Sequence, residues 1–147
     1  MLLVLPFDHH VAENQSSDHA IEIAMPLASE GYLTTFGLEP TRPETGYGYL
    51  LCGEPLPLDG YKMTTFIEKP ENDLAVTLVD SGKYIWNSGI LLTCADAYLQ
   101  ELCLHAPDIL DSCKQALDPA VYGMDFLRPP SSKLEKCELN SIDYPVL

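Results

Sequence analysis

Apolar and polar positions alternate between strand-like and helix-like rhythms along this chain. Residues 2–5 form a continuous apolar run closed by Pro6, the pattern of a strand buried on both faces. Residues 13–30 then place Ala20, Ile21, Ala24, Leu27 and Ala28 at helical spacing, with Ser16 or Ser17 as a cap, Pro26 as a kink or break and Gly31 as a stop. Residues 32–38 read as a strand through Thr34 and Thr35. Two further strands, 47–52 and 61–67, are joined by a Pro/Gly loop, and a short helix follows over 71–81. Residues 83–89, KYIWNSG, lead into an apolar strand at 90–93. Helices follow over 95–105 and from Pro107, the second carrying Ile109, Leu110, Cys113 and Leu117 on one stripe. Residues 118–133 read as loop and 132–137 as a helical turn. Strands alternating with helices predict an α/β fold.

Composition narrows the classes. A chain of 147 residues with 46% apolar content is one domain's worth, with a real core. Twenty-two acids against 8 bases give a net charge of −14, which argues against nucleic acid as a partner. No apolar run reaches membrane-spanning length, and the apolar start lacks a basic region and a cleavage site. Five cysteines, an odd number without a CxxC, predict reduced thiols in the cytoplasm; Cys103 and Cys113 fall on apolar helical faces and are expected in the core.

The candidate chemistry centres on residues 44–70. Gly46 and Gly48 open one strand, and glycine allows close approach of the backbone to a ligand. Glu68, Lys69 and Pro70 close the other. Pro70 biases Lys69 away from the helical region, so the pair is expected in extended chain. A carboxylate accepts hydrogen bonds from sugar hydroxyls and an ammonium neutralises phosphate, so the stretch suits a phosphorylated sugar. The plainer reading is a surface hairpin with an exposed ion pair. Asp8 follows the first strand, where it is a candidate metal ligand or a turn residue. Trp86 and Asn87 line a polar pocket, or else form a core Trp and a turn.

Six blocks, in order, resemble the sugar-nucleotide pyrophosphorylases, and among them the mannose-1-phosphate guanylyltransferases. They are VLPFDH at residues 4–9, TFGLEPT at 35–41, ETGYGY at 44–49, FIEKP at 66–70, WNSG at 86–89 and SIDY at 141–144. The resemblance implies a Rossmann-like mixed α/β sheet. It implies attack of a sugar-1-phosphate oxygen, that of mannose-1-phosphate, on the α-phosphorus of GTP around Mg2+. Carried over, Asp8 and Asp143 are the catalytic, metal-holding carboxylates; Gly48, Glu68 and Asn87 contact the sugar; Lys69 contacts its phosphate. Hard oxygen ligands suit magnesium. The family's Gly-rich loop with its Arg and Lys is not found, Pro145 replaces a small residue, and the last block is cut short. Residues 1–147 are therefore expected to be a partial domain, incomplete at the N-terminus and catalytically incomplete alone. On the same analogy the strand at 2–5 is left with an unpaired edge that favours a homo-oligomer.

Two other readings stand beside this one. Asp8-His9-His10 after a strand also fits a DHH-type metal phosphoesterase, which needs further Asp and His ligands; the other histidines are His19 and His105. A non-catalytic sugar-phosphate-binding or oligomerisation module would keep Glu68, Lys69 and Asn87 without nucleotide chemistry.

Overall fold

The structure is a computed structural model that describes residues 1–10, 15–118, 121–123, 126–135 and 137. The chain divides into two compact units, Met1–Cys94 and Ala95–Leu147.

The first unit is built on one long strand. β1 (Leu2–Val4), α1 (Gln15–Ser29), β2 (Thr34–Leu38), β3 (Tyr49–Pro55), β4 (Tyr61–Ile67), α2 (Asn72–Asp80) and β5 (Tyr84–Thr93) follow in order. β5 pairs with β1, β2 and β3, and β4 adds beyond β3, every pairing antiparallel. The α/β class holds, with an antiparallel sheet among the described strands.

Two helices cover this sheet. Ala75 and Leu78 of α2 bury against Tyr49 and Trp86, with Ile67, Val79 and Tyr84 around them. Ala24 and Ala28 of α1 pack on Leu92, joined by Phe36. Small residues on α1 let the helix approach closely, and burying a leucine such as Leu78 or Leu92 contributes about 1.5–3 kcal/mol. Helix α1 continues through Pro26 to Ser29, the proline forgoing one intrahelical bond.

Several expectations are corrected here. β1 is not buried on both faces: Leu2, Leu3 and Val4 are each 40–41% exposed, since β5 is its one partner among the described strands. Trp86, Asn87, Ser88 and Gly89 lie inside β5 rather than before it. Lys69 is not extended, with φ of +42°. Pro70 is buried and α2 starts two residues later, so the chain must turn at Lys69. A following proline disfavours the right-handed helical region, and the turn at Lys69 uses the left-handed one.

The second unit holds α3 (Ala95–His105), α4 (Pro107–Leu117), a small hairpin of β6 (Val121–Tyr122) and β7 (Leu127–Arg128), and α5 (Ser131–Leu134). The hairpin lies where a loop is expected, and Gly123 N–H donates to Phe126 O at 2.8 Å across its turn. Pro107 opens α4 at a position where no intrahelical N–H is needed. Leu102, Leu110 and Ala116 are buried, whereas Cys103 is exposed rather than core. The apolar stripe that carries Leu102 leaves Cys103, one residue on, turned about 100° away.

Candidate functional site

Strand register assembles the site. Tyr49 pairs with Ile67 on one side and with Trp86 on the other. One step further along, in antiparallel pairing, Gly48 therefore stands between Glu68 and Asn87. Asn87 N–H donates to Gly48 O at 2.8 Å, and Asn87 pairs in turn with Gly37 of β2. Glu68, Gly48, Asn87 and Gly37 thus form one row across four neighbouring segments. Directly opposed residues share a face, and successive residues alternate. Tyr49 and Trp86 point into the core under α2, so the row lies on the other face of the sheet.

Glycine is required in the middle of this row. A Cβ on Gly48 would sit 2.7 Å from Phe66 Cε2 and 2.9 Å from Glu68 Oε2. The Glu68 carboxylate therefore leans over the bare backbone, with Asn87 on the far side. Two strand spacings separate the backbones of Glu68 and Asn87 by about 10 Å, and the space directly above Gly48 is taken by Phe66 and the Glu68 carboxylate.

Glu68 is largely shielded, its side chain 10% exposed, while that of Lys69 is 62% exposed. Lys69 Nζ reaches Glu68 Oε1 at 3.3 Å, from a backbone conformation uncommon for a residue with a side chain. The ion pair itself adds little stability in solvent. Its effect is to place an ammonium beside the carboxylate.

Asn87 begins a bulge. Between the paired ends Asn87–Gly37 and Leu91–Thr35, three residues on β5 oppose one on β2. Gly89 adopts φ of +72°, and its N–H turns back onto Asn87 Oδ1 at 3.2 Å. Thr35 Oγ1 meets the same oxygen at 2.8 Å and Ile90 O at 3.0 Å. The chain leaving β1 also reaches this place, since a Cβ on Gly89 would lie 3.3 Å from Pro6 Cγ.

The segment before Gly48 is clasped from below. The Tyr49 hydroxyl, on a fully buried side chain, accepts from Glu44 N–H and donates to Glu44 O, each at 2.9 Å. Arg42 Nη2 pairs with Glu44 Oε2 at 3.2 Å and its guanidinium lies 6.0 Å from the Trp86 ring centre. Tyr47 stands edge-on to Trp86, with ring centres 5.2 Å apart. Trp86 is thus both a core residue and the underside of the loop.

Gly48, Glu68, Lys69 and Asn87, expected from sequence, therefore come together. Asp8 lies in an exposed turn after β1, where His9 N–H donates to Pro6 O at 3.4 Å. Asp143 lies outside the described residues. Thr35 and the Tyr49–Glu44 clasp were not found by sequence reasoning. Threonine and tyrosine in strands read as β-formers, and only register shows where their hydroxyls go. Among the described residues no three His, Cys, Asp or Glu side chains converge on a common point. His19 and His105 instead meet Glu22 and Glu101 on their own helices, at 3.8 and 3.3 Å. A cleft of about 480 Å³ lined by Glu39, Pro40, Val79, Gly82, Tyr84 and Ile85 holds none of the row.

Comparison with known proteins carries this further. The family model described as nucleotidyl transferase matches residues 1–128. The chain belongs to the nucleotidyl transferase family. Over its whole length this nucleotidyl transferase chain is 40% identical to a mannose-1-phosphate guanylyltransferase of Escherichia coli and 42% identical to one of Salmonella muenchen. It spans about a third of the length of these curated relatives, 32% and 31%. Among solved structures it is similar to one described as mannose-6-phosphate isomerase from Helicobacter pylori, with a TM-score of 0.86 and 33% identity over 98% of this chain and 56% of that one. A second, described as mannose-1-phosphate geranyltransferase from Thermus thermophilus, gives 0.81 and 30% over 98% of this chain and 40% of that one. No helix among the described residues is long and apolar enough to cross a membrane.

Proposed function

We propose that this nucleotidyl transferase chain supplies the sugar-phosphate side of guanylyl transfer to mannose-1-phosphate. The Glu68–Gly48–Asn87 row, with Lys69 held against Glu68, is the observation that carries the reading. The sugar binds along the row, its hydroxyls bonded to Glu68 and Asn87, and Lys69 meets the phosphate. This leaves the sugar-phosphate oxygen to form a bond to the α-phosphorus of GTP while the bond to pyrophosphate breaks. GDP-mannose and pyrophosphate are the products. Positioning and charge neutralisation are what such a site contributes to phosphoryl chemistry.

A divalent cation, magnesium, is part of the proposal through Asp8 and Asp143, whose oxygens suit it. The described residues do not amount to a metal site, because no three candidate ligands converge among them and Asp143 lies outside them. The chemistry above is accordingly that of the chain's own side chains. Cytoplasmic residence, inferred from free thiols, belongs to the same proposal.

The test is calorimetric titration of the chain with mannose-1-phosphate in magnesium buffer. Saturable binding, weakened about tenfold or more in Lys69→Ala by loss of a charged hydrogen bond, supports the reading. A cooperatively folded chain that binds no mannose-1-phosphate overturns it.

A further inference from the structure

The Asn87 amide has a defined polarity. Its Oδ1 faces Gly89 N–H at 3.2 Å and the Thr35 hydroxyl at 2.8 Å. A backbone N–H can only donate, so the amide atom that meets it is the oxygen. Turning the amide over would set two donors 3.2 Å apart. The Thr35 hydroxyl proton has two acceptors in reach, Asn87 Oδ1 and Ile90 O, and both lie within the bulge. Asn87 Oδ1 is therefore occupied by the protein. Asn87 Nδ2 bonds no described residue, and it is not among the buried unpartnered polar atoms, of which Trp86 Nε1 is the one found among the described residues. It remains open to solvent.

We propose that Thr35 is a positioning residue that holds Asn87 as a hydrogen-bond donor towards an oxygen of the bound sugar phosphate. This rests on the reading of Asn87 as a ligand contact. With its oxygen engaged, Asn87 offers two N–H groups and no acceptor. Across Gly48, the ionised Glu68 carboxylate offers acceptors and no donor. The two walls thus have opposite polarity. A ligand that presents a hydroxyl proton on one side and an oxygen lone pair on the other is held in one orientation, and the reversed orientation leaves groups on both walls unpaired.

Thr35→Val keeps the branched shape and removes the hydroxyl, Thr35→Ser keeps the hydroxyl, and Asn87→Asp keeps the oxygen while replacing the donor by an acceptor. Each is titrated with mannose-1-phosphate, and the Asn87 side-chain NH2 pair is followed by 1H–15N NMR. Thr35→Val is expected to weaken binding about tenfold, the effect of one hydrogen bond, and to shift the NH2 pair. Thr35→Ser restores most of the binding. Asn87→Asp melts cooperatively and loses binding. Wild-type affinity in Thr35→Val, an unmoved NH2 pair, or equal weakening in the valine and serine variants overturns the proposal. So does tight binding by Asn87→Asp, because the outward atom would then not be a donor. If the unmodified chain does not bind mannose-1-phosphate, the functional reading fails separately, and the NH2 pair still decides whether Thr35 sets the amide: movement in the valine variant supports it, none refutes it.

Discussion

Substituting Gly48 by alanine tests the geometry of the row directly. The new Cβ would fall 2.7 and 3.0 Å from Cε2 and Cζ of Phe66 and 2.9 Å from Glu68 Oε2. Carbon atoms at such distances are well inside contact, so the aromatic ring must tilt and the carboxylate must swing away. Overpacking of this kind costs about 1–3 kcal/mol. Alanine also restricts the unfolded chain, which returns about 0.4–1 kcal/mol where the backbone tolerates it. The expected net loss is about 0.5–2 kcal/mol, or several degrees in the melting midpoint for a chain of this size. Trp86, the single tryptophan, is buried in the same core and reports unfolding by fluorescence in urea or on heating. Mannose-1-phosphate affinity should fall as well, because Glu68 is displaced from its place over Gly48. Gly46→Ala is the control, since its Cβ would meet only Glu44 Oε1 at an ordinary 3.5 Å. Equal midpoints for Gly48→Ala and Gly46→Ala would refute the claim that Gly48 is there because Phe66 and Glu68 occupy the space.

Tyr49→Phe removes the hydroxyl that bonds both Glu44 N–H and Glu44 O. It should destabilise the chain by about 1–2 kcal/mol in urea unfolding, with sugar-phosphate binding weakened as the loop before Gly48 loosens. In the second unit, burial pushes the Tyr98 phenol above its usual value, and charge on Cys113 adds to the rise. A raised acid favours its neutral form in the folded state. That contribution is fully present below the unfolded value near pH 10 and is lost as pH climbs through the folded one. Tyr98→Phe should therefore flatten the alkaline fall in melting temperature; an unchanged fall above pH 10 would show that Tyr98 is not its source.

Local pattern carried much of the fold. The hairpin strand at 61–67 matches β4, α2 lies within one residue of its predicted span, and α3 and α4 form over their predicted spans, although Leu99 and Leu117 of the expected apolar stripes are exposed. These elements are set by short-range periodicity, which is present in the sequence itself. The donors and acceptors of Glu68, Lys69 and Asn87 were also legible, because residue type limits what a side chain can bond. Their convergence was not. It depends on Gly48 standing opposite both Glu68 and Asn87, and register is a relation between strands far apart in the chain. The same holds for β1, whose apolar run predicts burial by composition, while its exposure depends on which strands lie beside it. Lys69 shows the limit at one residue. Pro70 disfavours the helical region, but extended and left-handed backbone both remain, and the need to bury Pro70 and start α2 chose between them. Sequence thus determined most of the elements, though not the β6–β7 hairpin, and the available donors and acceptors. Tertiary pairing decided which of them face one another, because hydrogen-bond partners across a sheet are set by strand order and register rather than by neighbours in the chain.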